Sequence, residues 1–416
     1  MTSGRPTRAA VLVAALGGAC AGDTGTLDLS LVTAPGSPLL DDVTRLRITL
    51  TSPRTVLEAT RGADGFELVL EVEARGQTAA LLVEALDAGG ALVAGGQSPP
   101  LQLGPVTARV AIYVAPPSDI LPAPVAAPAA ITDVGVGPLA YGAVLAGGRT
   151  AAGAPTDDLA IYNAFDHTLT AGLPLPAARA GLAVGVGGGG RVYLFGGTNV
   201  ADEPTGTLWR FDTTTAPSGA YVELADVPGF ARTGAALVAI GPDQFLGTGS
   251  PVVEVAASTV ALRADLSALG RGASTVDAAG ARGAVFAGTE GITRLADGAV
   301  TMLAPAPRLG AVVAALPDGG AAITGDASEE LVRLGRTGDL AVTTDFLPAG
   351  CAATTLVATS RHLVLVCRDA TYAYDAGTLA LVAWRPVGGT AAAPLPNDQV
   401  LIVTAAGLAL FTPPPG

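Results

Sequence analysis

Residues 185–200, GVGGGGRVYLFGGTNV, set four consecutive glycines, Gly187 to Gly190, directly ahead of an apolar run, Arg191 to Phe195, that closes on a second pair, Gly196-Gly197. A loop that cradles phosphate needs a strand, a glycine turn and then a helix whose first amides face the anion. Here the order is reversed. The glycines precede the aromatic and β-branched run, and no Lys-Ser/Thr follows. Gly187–Gly190 therefore reads as a hairpin turn, and Gly196-Gly197 as the end of an inner strand. The stretch points to repetitive β-structure rather than to a nucleotide site.

Working outward, the same landmarks recur. The pair Gly147-Gly148 ends LAGG as Gly196-Gly197 ends LFGG, and Tyr162 follows Gly147 by 15 residues as Phe211 follows Gly196. The shared 49-residue offset is a repeat signal. PLPAARAG, ending at Gly181, is answered by VPGFARTG, ending at Gly234, and by PAPRLG at 305–310. With the glycine turn before 191, hairpins built on GPD, PDGG, TSRH and PND place second strands near 191, 244, 321, 363 and 400, with ARGAVFAG at 281–288 filling the one double gap.

Four strands every 36 to 53 residues describe a propeller blade. RVYLFGG, followed by Phe211-Asp212 and Tyr221, resembles the kelch repeat: a double glycine, an aromatic-Asp turn, and an aromatic ten residues on. Tyr374-Asp375 and Trp384 keep that last spacing. The resemblance covers about two-thirds of the chain and implies a kelch-like β-propeller over 131–416. Seven blades are expected, with boundaries near 180, 233, 273, 309, 351 and 390, and six is the alternative. Because 390–416 is too short for four strands, residues before 131 are expected to supply the missing one.

Ahead of the repeats, residues 20–115 alternate: in TRLRITLT, Leu46, Ile48 and Leu50 point one way and Arg45, Arg47 and Thr49 the other. Six or seven such runs with turn signals between them suggest an immunoglobulin-like β-sandwich. Five prolines within 116–130 mark a semi-rigid linker that supports neither helix nor central strand.

Composition bounds the class. Of 416 residues, 50% are hydrophobic and 14% charged, which excludes a disordered chain. The formal charge of −13 and the lack of a basic stripe speak against a nucleic-acid partner. At the N-terminus, Arg5 and Arg8 precede an uncharged stretch from Ala9 to Ala19 and then Cys20, a signal-peptide layout over 1–19 too short to span a membrane. Small residues before Cys20 resemble the lipobox of bacterial lipoproteins, with Gly17 where the pattern has an aliphatic residue and Leu16 one step early. The resemblance implies a lipid on Cys20 as the sole membrane contact and, with Ala21 following, delivery to the outer membrane; ordinary cleavage at Ala19-Cys20-Ala21 is the alternative. The remaining cysteines, Cys351 and Cys367, flank a hairpin turn near 359 and fall opposite each other, a disulfide permitted by export.

Chemistry-bearing clusters are sparse. His167 and His362 are the only histidines; both fall in turn-like sequence and read as solvated loop residues, without metal-ligand spacing. Asp41-Asp42, Asp157-Asp158 and Glu329-Glu330 lack the spacing of a calcium loop and read as solvated charge. No nucleophile elbow occurs. Copper oxidases of the kelch-fold class need histidine and tyrosine ligands and a modified cysteine, a set this chain does not supply. No catalytic, cofactor or metal residue is thus assigned. The expected role is binding of a protein or glycan through propeller loops, with Trp209, Tyr221, Tyr372 and Trp384 packed between blades; a carbohydrate-active enzyme and a structural envelope component are the alternatives.

Overall fold

The computed structural model describes residues 24–62, 66, 68–73, 76–215, 218–266, 269–325 and 328–414. Cys20 and the leader lie outside them. The alternation of the first hundred residues becomes two sheets on a shared core. One has the order Val69–Glu73, Thr24–Val32, Thr107–Tyr113, its last two strands parallel. The other has the order Arg54–Thr60, Arg45–Thr51, Leu81–Leu86, Leu92–Gln97. Leu46 and Ile48 point into the core with Leu29, Leu81 and Ile112, while Arg47 on the opposite face pairs with Glu84 at 3.3 Å. Period-2 patterning thus selects the dry face, as expected for sheets with one solvated side.

Seven further four-stranded antiparallel sheets follow. Their first strands, Gly135–Leu139, Ala183–Val186, Leu237–Gly241, Arg271–Val276, Ala311–Ala315, Ala353–Ala358 and Ala391–Pro394, neighbour one another in a closed cycle, the last returning to the first. Each second strand is covered on both faces by adjacent sheets. Accordingly Gly142–Ala146, His362–Cys367 and Val400–Thr404 are buried throughout, which explains their unbroken apolar runs. The arrangement is a β-propeller. No α-helix occurs among the described residues, and none of their helices is long and apolar enough to cross a membrane.

The seventh sheet is completed from the front of the ring. Asp119–Pro122 pairs antiparallel with Gly407–Thr412, Asp119 opposite Thr412. Part of the proline-rich stretch expected to be linker is therefore an edge strand, a position that tolerates Pro122 because one side of the strand is unpaired. Asp119 also meets Arg385 of the sixth sheet at 2.6 Å.

Both histidines correct the sequence reading, for each is buried. His167 is 3% exposed: the strand Thr107–Tyr113 runs off the sandwich onto the first sheet of the ring and covers it. Its Nε2 accepts the Tyr113 amide at 3.1 Å, so Nδ1 carries the proton and donates to Tyr162 Oη at 2.7 Å. Burial pulls its pKa down to about 4, against the opposing charge of Asp166. His362 is 4% exposed; it opens the second strand of the sixth sheet instead of sitting in the turn, and burial, aided by Arg361, lowers its pKa.

Candidate functional site

The repeat residues build the ring rather than a reaction centre. Gly147, Gly148, Gly196 and Gly197 all have positive φ. The Gly148 amide donates to the Arg179 carbonyl at 2.8 Å, and the Gly197 amide to the Arg232 carbonyl at 2.9 Å. A Cβ on Gly147 would stand 2.3 Å from that Arg179 oxygen, so only glycine lets the loops close this way. Arg179 lies over the Trp209 ring at 5.0 Å and Arg232 over Phe195 at 5.2 Å. The recurring Ala-Arg-x-Gly is thus a clamp between neighbouring sheets.

The aromatic-Asp pairs are turn devices. Asp212 accepts the Thr214 amide at 2.9 Å and its hydroxyl at 2.7 Å, which holds its carboxyl below the usual range. Asp375 does the same for Thr378, at 2.7 and 2.9 Å. Phe211 stacks near Tyr221, with centroids 4.6 Å apart, and Tyr374 on Phe346 at 4.2 Å. Tyr221 Oη donates to the Leu173 carbonyl, in the loop that follows the preceding sheet, at 2.9 Å. Trp209 is buried as expected, whereas Tyr372 is half-buried and Trp384 is 49% exposed. Trp384 stands on an outermost strand, Leu381–Arg385, beyond which no further layer lies.

Cys351 and Cys367 form a disulfide, Cα atoms 5.4 Å apart. Cys351 sits in the loop before Ala353–Ala358 rather than opening that strand, because Ala353 takes the register position opposite Cys367.

The two ends of the ring differ in chemistry. Where the first strands finish, Leu139, Leu316, Pro317, Leu395 and Pro396 line an apolar depression of about 420 Å³. The sandwich docks toward this end: the Ala111 amide donates to Phe165 in a turn there, at 2.8 Å. Where the first strands begin, a cavity of about 520 Å³ is lined by Asp133, Arg149, Thr198, Thr233, Arg271 and Thr355, among others. A second, of about 320 Å³, shares Thr233, Gly234 and Arg271 with it and adds Arg232 and Arg308. This mouth therefore gathers four arginines against one carboxylate in a chain of net charge −13.

Three of the four arginines are engaged. Arg149 pairs with Asp133 at 3.1 Å and Asp202 at 2.6 Å; Arg232 donates to the carbonyls of Phe230 and Thr248, both at 2.9 Å; Arg308 meets Glu330 at 2.8 Å. Arg271 is exposed and has no ionic or hydrogen-bonding side-chain partner among the described residues. Sequence reading did not single it out. Its signal was positional: Gly181, Gly234, Gly310 and Gly350 precede other first strands, with open space at each, while Arg271 itself opens the fourth.

No family model and no curated protein matches the sequence. Among solved structures, a catalytically inactive variant of virginiamycin B lyase from Staphylococcus aureus, solved with quinupristin, matches with a TM-score of 0.50 at 12% identity, covering 71% of this chain and 99% of that one. The likeness is one of fold. Among the described residues no group of three or more His, Cys, Asp or Glu side chains is placed to hold a metal ion.

Proposed function

We propose that this chain is an exported, lipid-anchored envelope protein that displays a seven-bladed, kelch-like propeller on an immunoglobulin-like sandwich and binds an acidic glycan at the arginine-lined mouth. Export is supported by the leader-like N-terminus and by the Cys351–Cys367 disulfide. The seven-bladed reading is supported by the closed cycle of first strands. The sandwich lies toward the opposite end, so the mouth is open to a large ligand.

The observation that carries the binding role is Arg271: an exposed guanidinium without a partner, set where two cavities meet among threonine hydroxyls. Carboxylate or sulfate accepts bidentate hydrogen bonds from a guanidinium, and sugar hydroxyls pair with threonine. A glycosidase needs two carboxyl groups flanking the scissile bond. Asp133, the one carboxylate lining these cavities, is already paired with Arg149. The test is a glycan array probed with the wild-type ectodomain and with Arg271→Ala. Acidic glycans should be retained by the former and lost with the latter. Turnover of a retained glycan, or equal retention by both, would overturn the reading, and capture of acidic peptides alone would replace the glycan with a protein ligand.

A further inference from the structure

A different cavity, of about 320 Å³, lies between the sandwich and the last two sheets of the ring, at the end away from the arginine mouth. Junctions between domains are favoured places for small-molecule sites, and this volume suits one. Its lining combines three features. Asn397 is fully buried: its Nδ2 donates to Gln399 Oε1 at 2.7 Å, but its Oδ1 has no partner among the described residues. His362, also buried, likewise keeps Nδ1 without one. Buried polar atoms are nearly always satisfied, so two orphans on residues that line one cavity, both sealed just beneath its surface, mark a place where a ligand could supply the missing partner by a small turn of a side chain.

Charge supplies the second feature. Arg54 from the sandwich and Arg361 from the propeller line the cavity from its two sides, both exposed and both without an ionic partner among the described residues. The carboxylates in the same lining are engaged, Glu84 by Arg47 at 3.3 Å and Asp398 by the Ser360 amide at 2.9 Å. The third feature is apolar wall, from Leu82, Val83, Pro413 and Pro414.

We propose that this cleft binds a free α-amino acid with an apolar side chain. Its carboxylate would bridge Arg54 and Arg361, its ammonium would draw Asn397 Oδ1 out from beneath the lining and give it the donor it lacks, and its side chain would lie against the apolar wall. The pairing also explains why the two unpartnered arginines come from different domains: the ligand ties them together.

Isothermal titration of the full exported chain with L-leucine tests this, with L-leucinamide lacking the carboxylate and N-acetyl-L-leucine lacking the ammonium. Leucine should bind saturably, and each capped analogue about tenfold or more weakly. Arg54→Glu and Arg361→Glu alter exposed side chains; each should weaken leucine by about tenfold or more with an unchanged circular dichroism spectrum. Arg271→Ala, at the other end of the ring, should leave leucine binding intact. Absence of saturable heat at about 10 mM leucine, equal binding of the capped analogues, or wild-type affinity in both arginine variants overturns the proposal.

Discussion

The backbone amide of Gly188 donates to the Asp243 carboxylate at 3.1 Å, across from one sheet of the ring to the next. The glycine-rich turn does face an anion, and the anion belongs to the protein. Arg191 closes on the other oxygen of Asp243 at 3.0 Å, and Tyr193 Oη approaches at 3.4 Å. A Cβ on Gly187 would stand 2.1 Å from Asp243 Oδ1. Asp243→Ala removes charge-assisted bonds from a buried carboxylate and should cost about 2 kcal/mol. Gly187→Ala should cost a similar amount by displacing it, and the double variant should lose less than the sum, as measured by chemical denaturation.

His167 gives stability a defined pH dependence. Its folded pKa of about 4 lies below the ordinary 6.5, so the unfolded chain takes up a proton first as pH falls. Its contribution is complete above 6.5, declines between 6.5 and 4, and amounts to about 3 kcal/mol. Asp166 is the charge that opposes the shift, while Tyr113 and Tyr162 hold the neutral ring. Melting temperatures of the wild type and His167→Gln, compared from pH 7 to 4, should converge as the pH is lowered.

Arg271→Ala separates binding from folding. The side chain is exposed and supports nothing around it, so stability should change by no more than about 0.5 kcal/mol, while retention on acidic glycan falls and the salt dependence of binding flattens. Loss of melting temperature in this variant would mean that Arg271 has a structural task.

Reduction of Cys351–Cys367 releases a loop of 16-residue separation. The constraint on the unfolded chain is worth about 3 kcal/mol. The denaturation midpoint should fall by a corresponding amount with reductant, and Cys351→Ala/Cys367→Ala should show the lower midpoint with or without it.

Much of the ring was legible in the sequence because hairpin turns and doubly covered second strands leave local marks: glycine pairs, Pro-Asp-Gly turns and unbroken apolar runs such as HLVLVC. What escaped depends on contacts remote in sequence. FDHT reads as an exposed turn, and Asp166 does cap it by accepting the Thr168 amide at 3.2 Å. His167 is nevertheless buried, because a strand from the other domain lies on it. The exposure of Trp384 follows from its strand being outermost, a place that spacing alone does not specify. The arginines of the mouth divide in the same way: the repeated Arg232 is a clamp, as Arg179 is beside it, while Arg271, outside the motif, is left open to solvent.

The pairing of Asp119–Pro122 with Gly407–Thr412 also sets an order of events during synthesis. The two partners lie about 290 residues apart, so Asp119–Pro122 is made early and waits for Gly407–Thr412 to emerge. Until then neither Asp119–Pro122 nor the facing edge of Val400–Thr404 has its partner. A chain truncated after Thr404 should therefore lose more than one strand: it leaves the ring open at the sheet beside the sandwich, with two apolar edges ready to pair with other chains.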